Sequence, residues 1–475
     1  MRGAVQLPAV AAALLAALVF TAGAVGVGGP PPAVSPAAIA AGGNDSCVVT
    51  VIAGVRCWGQ GYGAKPLDIT GLSDGASTIA VGAHSCVVTK AGGVKCWGNN
   101  FAGALGDGAG PSSTTPVDVV GLSSGMTAVA VGGTHSCALT GAGGVKCWGG
   151  NRFGQVGDGT TNDRSTAVAV SGSQTGVTAI AAGSYHSCAL TAKGGVECWG
   201  DAYGSMPAPV SGLQRGVIAI AAGSSHRCAL TSAGGVRCWG SNSEGQLGDG
   251  TTSSRATPVD VVGLTSGVTA IAAGGEHTCA LTTSGAVECW GADFRGELGD
   301  GTSTFAARST PVGVVGLSSG VTAIAAGDAH SCALMSNGDV KCWGRDDFGQ
   351  LGDGTTAFGR WAPVGVVGYG AAAVTALASR SVKVSRARVA TIVLRCGAGA
   401  DCKGTLTLSA QLKLGSTSFV MSPGETRPVA VKLSTRGFKL LLRVRRLTAR
   451  VSITYAQPSG TSTTATGAVA LIAPR

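Results

Sequence analysis

All six histidines of the chain stand two residues before a cysteine, at His84, His135, His186, His226, His277 and His330. Asp45 holds the same place before Cys47. Imidazoles in such number could ligate a metal or move protons if they converged on one point. A repeat distributes its copies instead, so each histidine is read as serving its own blade by hydrogen-bonding a neighbour. Aspartates repeat as well: Asp107, Asp158, Asp249, Asp300 and Asp353 each lie within Gly-Asp-Gly. A carboxylate between glycines caps the N–H groups of a tight turn. Calcium would need several oxygens around one centre, and the EF-hand pattern is absent. Asp293 and the pair Asp346–Asp347 stand apart from other carboxylates, so no acid/base constellation for glycoside cleavage is legible.

The cysteines carry more information. Seven pairs are separated by nine residues, and a Trp-Gly follows each second cysteine. The pairs are Cys47 and Cys57, Cys86 and Cys96, Cys137 and Cys147, Cys188 and Cys198, Cys228 and Cys238, Cys279 and Cys289, and Cys332 and Cys342. Cys396 and Cys402 make an eighth pair, which uses all sixteen cysteines. Even cysteine usage without C-x2-C reads as disulfides in an oxidising compartment, not as a zinc site. No cofactor motif is present.

The elements that position these residues follow from the spacing. First cysteines recur at 39, 51, 51, 40, 51 and 53 residues, the range of a β-propeller blade. In the third unit, Met126–Val131, His135–Thr140 and Gly144–Gly149 read as strands, and Val168–Val170 leads on to the next unit. Counting inward from Cys137 and Cys147 pairs Thr140 with Gly144 and leaves a three-residue loop. Such a loop wants a left-handed third residue. Gly92, Gly143, Gly194, Gly234, Gly285 and Gly338 supply it in six units and Ala53 in the first. The two cysteines then face each other at about 4.5–5.5 Å between Cα atoms, a separation a disulfide accepts. The seven tryptophans, Trp58 to Trp343, read as core between units.

The unit Gly-x-x-His-Ser-Cys-Ala-Leu-Thr, Gly-x-Val-x-Cys-Trp-Gly, Gly-Gln-Leu-Gly-Asp-Gly-Thr-Thr resembles the regulator of chromosome condensation repeat, over residues 36–370. The resemblance implies a closed, all-β, seven-bladed propeller. Ala38–Gly42 copies the opening strand, and Val374–Ala378 copies it once more after the last blade. The family's nuclear member is a guanine-nucleotide exchange factor. A secreted relative inhibits a β-lactamase through one face of its ring.

The expected organisation is a signal peptide at 1–24, a linker at 25–35, the propeller at 36–378 and a basic β-sandwich at 379–475. Arg2, the apolar run Ala9–Phe20 and Ala22-Gly23-Ala24 carry the signal-peptide reading. Residues 1–370 have a net charge of −4 and residues 371–475 one of +14. Strands are expected at 381–384, 388–394, 404–408, 429–433 and 449–454, and the module resembles the immunoglobulin-like modules at the ends of bacterial surface proteins. Lys439, Arg443, Arg445, Arg446 and Arg450 form either a solvated face or a dock for anionic wall polymer or lipid headgroups.

Six aromatics follow the Trp-Gly by a few residues: Tyr62, Phe101, Phe153, Tyr203, Phe294 and Phe348. Equivalent propeller loops share a face, so these rings either circle one rim or tuck under their own loops. The expected function is a secreted or cell-surface binder that uses the rim, a monomer without a nucleic-acid partner and not integral to a membrane after cleavage. Its expected partner is an extracellular protein, and inhibition of a secreted enzyme is one form of the contact. The chain is read as a binder and not an enzyme. Nucleotide exchange is disfavoured by the oxidised cysteines, and a polysaccharide hydrolase or lyase by the missing carboxylate pair.

Overall fold

The computed structural model describes residues 36–474 apart from 51, 73–74, 109, 174, 304, 370–373, 377–380, 397–401, 411, 422–424 and 457–461. The expected signal peptide and linker lie outside the described residues.

Seven four-stranded antiparallel sheets occupy residues 36–365. Each takes its strands from one uninterrupted stretch of chain, in sequence order. The first is Pro36–Gly42, Asp45–Thr50, Val55–Gly59 and Gly63–Asp68, and the last is Val321–Ala326, His330–Met335, Val340–Asp346 and Ala357–Gly365. First strands are rich in alanine because they crowd the axis. Their ends, among them Ala41, Val81, Val131, Ala182 and Ala273, ring a central cavity of about 190 Å³.

The hairpin register is the expected one. Cys137 opposes Cys147, and Thr140 N–H donates to Gly144 O at 2.8 Å. Gly143 sits at φ 81°, and Ala53 takes the same left-handed place in the first blade at φ 64°. All seven expected blade disulfides form. Cys47 bonds to Cys57, Cys86 to Cys96, Cys137 to Cys147 and Cys188 to Cys198. Cys228 bonds to Cys238, Cys279 to Cys289 and Cys332 to Cys342. One detail differs from the expectation. The Cα atoms of Cys57, Cys96, Cys147, Cys198, Cys238, Cys289 and Cys342 each lie 4.1 Å from those of their partners, closer than the spacing of a regular ladder. The covalent link draws the two strands together at that point. The eighth disulfide joins Cys396 to Cys402. A Cys137→Ala/Cys147→Ala double variant is expected to lose about 2–3 kcal/mol of unfolding free energy, the loop entropy of a short ring. Urea unfolding of the oxidised protein reads this directly, and a loss well below 1 kcal/mol would assign the hairpin's stability to its turn alone.

Each tryptophan is buried between its own blade and the preceding one. Trp148 of blade 3 packs with Val88, Leu105, Val119 and Leu122 of blade 2. The ring closes in the same way: Trp58 of blade 1 joins Leu334, Leu351 and Val366 of blade 7. Val374–Ala376, expected as another copy of the propeller's opening strand, pairs instead with Val389–Cys396 of the C-terminal domain. Blade 1 already has its first strand, Pro36–Gly42, so nothing remains for a returning strand to complete.

The C-terminal domain has a three-stranded sheet (Val374–Ala376, Val389–Cys396, Thr426–Lys432) and a five-stranded one. The latter runs in the order Ser381–Lys383, Ser462–Ile472, Arg446–Ala456, Cys402–Ser409, Lys413–Met421. Ile392 and Val431 from the first sheet meet Leu406, Ile453 and Leu471 from the second in one core. A helix, Thr435–Val444, begins at Ser434, whose Oγ accepts from Gly437 N–H, and it buries Leu441. Among the described residues no helix is long and apolar enough to cross a membrane.

Candidate functional site

Antiparallel strands put successive connections at alternate ends, so the first-to-second turns and the third-to-fourth loops of every blade leave on one face. The histidines and Gly-Asp-Gly aspartates lie on this face and serve the scaffold. His135 Nε2 lies 2.7 Å from Ser187 Oγ of the next blade, and Ser187 Oγ donates to Gln155 O at 3.0 Å. Since serine spends its proton on the carbonyl, the histidine is the donor, which fixes the Nε2–H tautomer. The same link joins His226 to Thr278, His277 to Ser331 and His330 to Ser46, each at 2.8 Å. Burial lowers the histidines to about 4 at His84 and His277 and to about 3 at His135, so they stay neutral. Five histidines thus bond a neighbouring hydroxyl, and that neighbour lies in the following blade; His186 Nε2 has no partner among the described residues.

The aspartates cap their turns. Asp158 accepts from Thr160 N–H at 2.9 Å and pairs with Arg164, and Asp249 repeats this with Thr251 and Arg255. The glycine ahead of each aspartate lets the next tryptophan approach. A Cβ on Gly157, at φ 80°, would stand 2.6 Å from Trp199 Nε1. That indole N–H donates to Gln155 O at 2.9 Å.

Blades 1 and 4 lack this loop, and there a side chain replaces the missing carbonyl. Trp97 Nε1 donates to Tyr62 Oη at 2.7 Å, and Trp239 Nε1 to Tyr203 Oη at 2.6 Å. Both tyrosines are half-buried between blades. Tyr62 and Tyr203 thus stand in for the missing loop, each with its ring half-buried where the four phenylalanines are exposed.

The four phenylalanines of the expected rim are exposed: Phe101 at 70%, with Phe153, Phe294 and Phe348 less so. Phe153 packs against exposed Tyr185 of the next blade, ring centroids 4.8 Å apart. The densest group lies on blades 6 and 7 and includes residues the motif does not mark. Phe305 and Phe358 are exposed with centroids 6.4 Å apart, and Trp361 lies 5.9 Å from Phe305. The Arg295 guanidinium sits 3.8 Å over the Phe358 ring and Arg345 lies 4.9 Å over Phe348, while Asp347 pairs with both arginines. The signal for this cluster was the spacing of 53 residues where longer blades otherwise show 51: extra residues in the blade 6 loop carry Phe305.

Lys439, Arg443, Arg445, Arg446 and Arg450 are all exposed where the C-terminal helix turns into the strand Arg446–Ala456. None of them makes an ion pair among the described residues. No group of three or more His, Cys, Asp or Glu side chains placed to hold a metal occurs among the described residues.

Models of the Regulator of chromosome condensation (RCC1) repeat match residues 126–155, 177–203, 217–246, 268–297 and 321–350, and also 91–139, 233–281 and 284–334. The E3 ubiquitin-protein ligase HERC2 of Homo sapiens is 35% identical over 230 residues, 47% of this chain and 4% of the ligase. The probable E3 ubiquitin-protein ligase HERC4 of Homo sapiens is 33% identical over 227 residues, 47% of this chain and 18% of that protein. The chain thus spans a small fraction of these relatives. Among solved structures, Prp20p of Saccharomyces cerevisiae, described with its binding to Gsp1p and histones, superposes with a TM-score of 0.58 at 24% identity, covering 66% of this chain and 85% of that one. Human WBSCR16 gives 0.56 at 25% identity, over 64% and 84%.

Proposed function

We propose that this chain, a propeller of the regulator of chromosome condensation repeat family, is a secreted or cell-surface protein that binds another protein through its loop face. The observation that carries the reading is the cluster on blades 6 and 7, where exposed Phe294, Phe305, Phe348 and Phe358 stand among Arg295 and Arg345. Aromatic rings and arginine are the side chains that dominate binding energy at protein interfaces. Rigid blades beneath them keep the ordering cost of association low. Eight disulfides suit an oxidising extracellular compartment, which separates this chain from nucleotide exchange on a small GTPase and from a ligase's cytosolic partners. Where the partner is an enzyme, a face of this kind inhibits it by covering its cleft.

The basic corner at Lys439, Arg443, Arg445, Arg446 and Arg450 favours a second contact, with an anionic polymer or lipid surface that holds the protein at the cell envelope. The test immobilises the oxidised chain beside a Phe305→Ala/Phe348→Ala/Phe358→Ala variant and a Lys439→Ala/Arg443→Ala/Arg446→Ala variant. Culture supernatant and an envelope fraction pass over each. A protein retained by the first and third columns and lost on the second is the expected result. Equal retention on all three would remove the aromatic cluster from the contact. Envelope polymer lost only on the third would assign anchoring to the basic corner.

A further inference from the structure

Two blades lack the long loop, and the structure treats the two resulting gaps differently. Between blades 4 and 5 the gap is filled from within. Arg227, on the second strand of blade 5 opposite Trp239, is 5% exposed. Its guanidinium lies 5.2 Å over the Tyr203 ring, and Nη2 donates to Asp201 O at 3.2 Å. Between blades 1 and 2 the corresponding position, opposite Trp97, is Ser85. Tyr62 and Gln60 stand where Tyr203 and Asp201 stand, but no long side chain covers them. The result is an open groove of about 640 Å³ bordered by Asn44, Asp45, Gln60, Tyr62, Ser113 and Asp328. That volume is in the range of specific ligand sites.

The open groove also has what the filled one lacks. Asp45 replaces the histidine of every other blade, and its Oδ1 is buried without a hydrogen-bond partner. Burial pushes its carboxyl up to about 7, against the pull of the Gln60 N–H. Such a group gains from a cation placed against it. Asp328, where other blades carry glycine, serine or alanine, adds a second carboxylate at the groove's edge.

We propose that the groove between blades 1 and 2 binds the guanidinium of an arginine side chain presented by a protein partner, stacked on Tyr62 with Asp45 as its counter-ion. Arg227 is the molecule's own example of the pose: a planar cation over the equivalent tyrosine, donating to the equivalent backbone carbonyl. The groove opens on the loop face, so the partner's identity rests on the contact proposed above, while guanidinium binding itself does not.

The probe is N-acetyl-arginine amide, titrated into the full oxidised chain and followed by calorimetry and by the fluorescence of the groove's Trp97. Saturable binding is expected, at least tenfold weaker in Asp45→Asn. Ser85→Arg, which copies blade 5, should abolish binding and leave thermal stability intact or raised. N-acetyl-citrulline amide, the uncharged isostere, should not bind, and N-acetyl-lysine amide should bind more weakly because it lacks the planar fork. No binding of the arginine probe, equal binding of citrulline or lysine, or full affinity in Asp45→Asn would each overturn the proposal. Because the probe is small, these readings do not depend on the phenylalanine cluster. Loss of partner capture in the Phe variant with arginine binding retained would separate failure of one reading from failure of the other.

Discussion

Replacing Asp293 and Asp346 together by asparagine raises the melting temperature at pH 8 by several degrees and leaves it nearly unchanged at pH 4. The template is within the molecule. In blades 3 and 5 this position is a fully buried asparagine. Asn151 Oδ1 accepts from Val156 N–H at 2.9 Å, and Nδ2 donates to Asp158 Oδ1 at 3.2 Å and Thr160 O at 3.0 Å. Asn242 makes the same set with Leu247, Asp249 and Thr251. In blades 6 and 7 the residue is aspartate. Its Oδ1 keeps the first bond, to Leu298 N–H at 3.1 Å and Leu351 N–H at 3.2 Å. Oδ2 has no partner in either blade, because an ionised carboxylate cannot donate. Burial above all, with the carboxylates of Asp300 and Asp353 nearby, pushes both groups up to about 7.

An unfolded aspartate titrates near 3.9. Between that value and about 7 the folded chain holds protons that the unfolded chain has released. The stability they contribute is complete below the unfolded value and is lost as pH rises through the folded one. At pH 4 the protonated acid stands in for the amide, so the exchange is neutral. At pH 8 it removes a buried unpaired charge, a gain of about 1–3 kcal/mol per site. Calorimetry of both proteins at the two pH values measures the difference. An equal shift at both would show that the carboxyls are ionised throughout.

Trp58→Ala costs about 3–5 kcal/mol, the penalty for emptying the largest kind of core position. What makes Trp58 the informative choice among the tryptophans is that it closes the ring. Its Nε1 donates to Gln350 O at 2.9 Å, and its ring lies 6.2 Å from Tyr369. Ser46 Oγ donates to the same carbonyl at 3.0 Å and meets His330 Nε2 at 2.8 Å. No strand of blade 1 enters the sheet of blade 7, so these side chains, with loop bonds such as Asp328 N–H to Gly43 O, hold the seam. Trp58→Phe keeps most of the apolar area and loses the indole bond, for about 1 kcal/mol. Denaturant unfolding reads both losses, and limited proteolysis at blades 1 and 7 reads the opening. A loss under 1 kcal/mol for Trp58→Ala would mean that the seam contributes little.

The repeat made most of the propeller legible. Cysteine spacing determines a hairpin register once the glycine at the left-handed loop position is seen, so Gly143 and its equivalents locate each turn. Chemistry that runs between blades was harder to read. His135 needs Ser187, 52 residues on, and nothing in one unit says that its partner is in the next. Tyr62 and Tyr203 matched the spacing of the rim phenylalanines, yet they occur in the two short blades, and that coincidence was the available sign of another task. Arg227 and Asp45 are single departures from the repeat, and both border the gaps those short blades leave. The C-terminal domain has no repeat to average over. Its strands at 389–396, 402–409 and 446–456 were readable from β-branched runs. The helix at Thr435–Val444 was missed, although Ser434 followed by Phe438 and Leu441 is a cap and an apolar face.

Since every blade is cut from one continuous stretch of chain, a pull on the two ends of the propeller meets no shared sheet that must be sheared apart. Tension reaches the Trp58 seam first and opens it as a clasp opens, by parting side chains. Blades then leave from the ends one at a time. Within each released blade the cystine holds its hairpin shut, so the nine residues between the cysteines add nothing to the extension. A propeller built in this way yields under load in short steps and keeps seven preformed hairpins from which to close again.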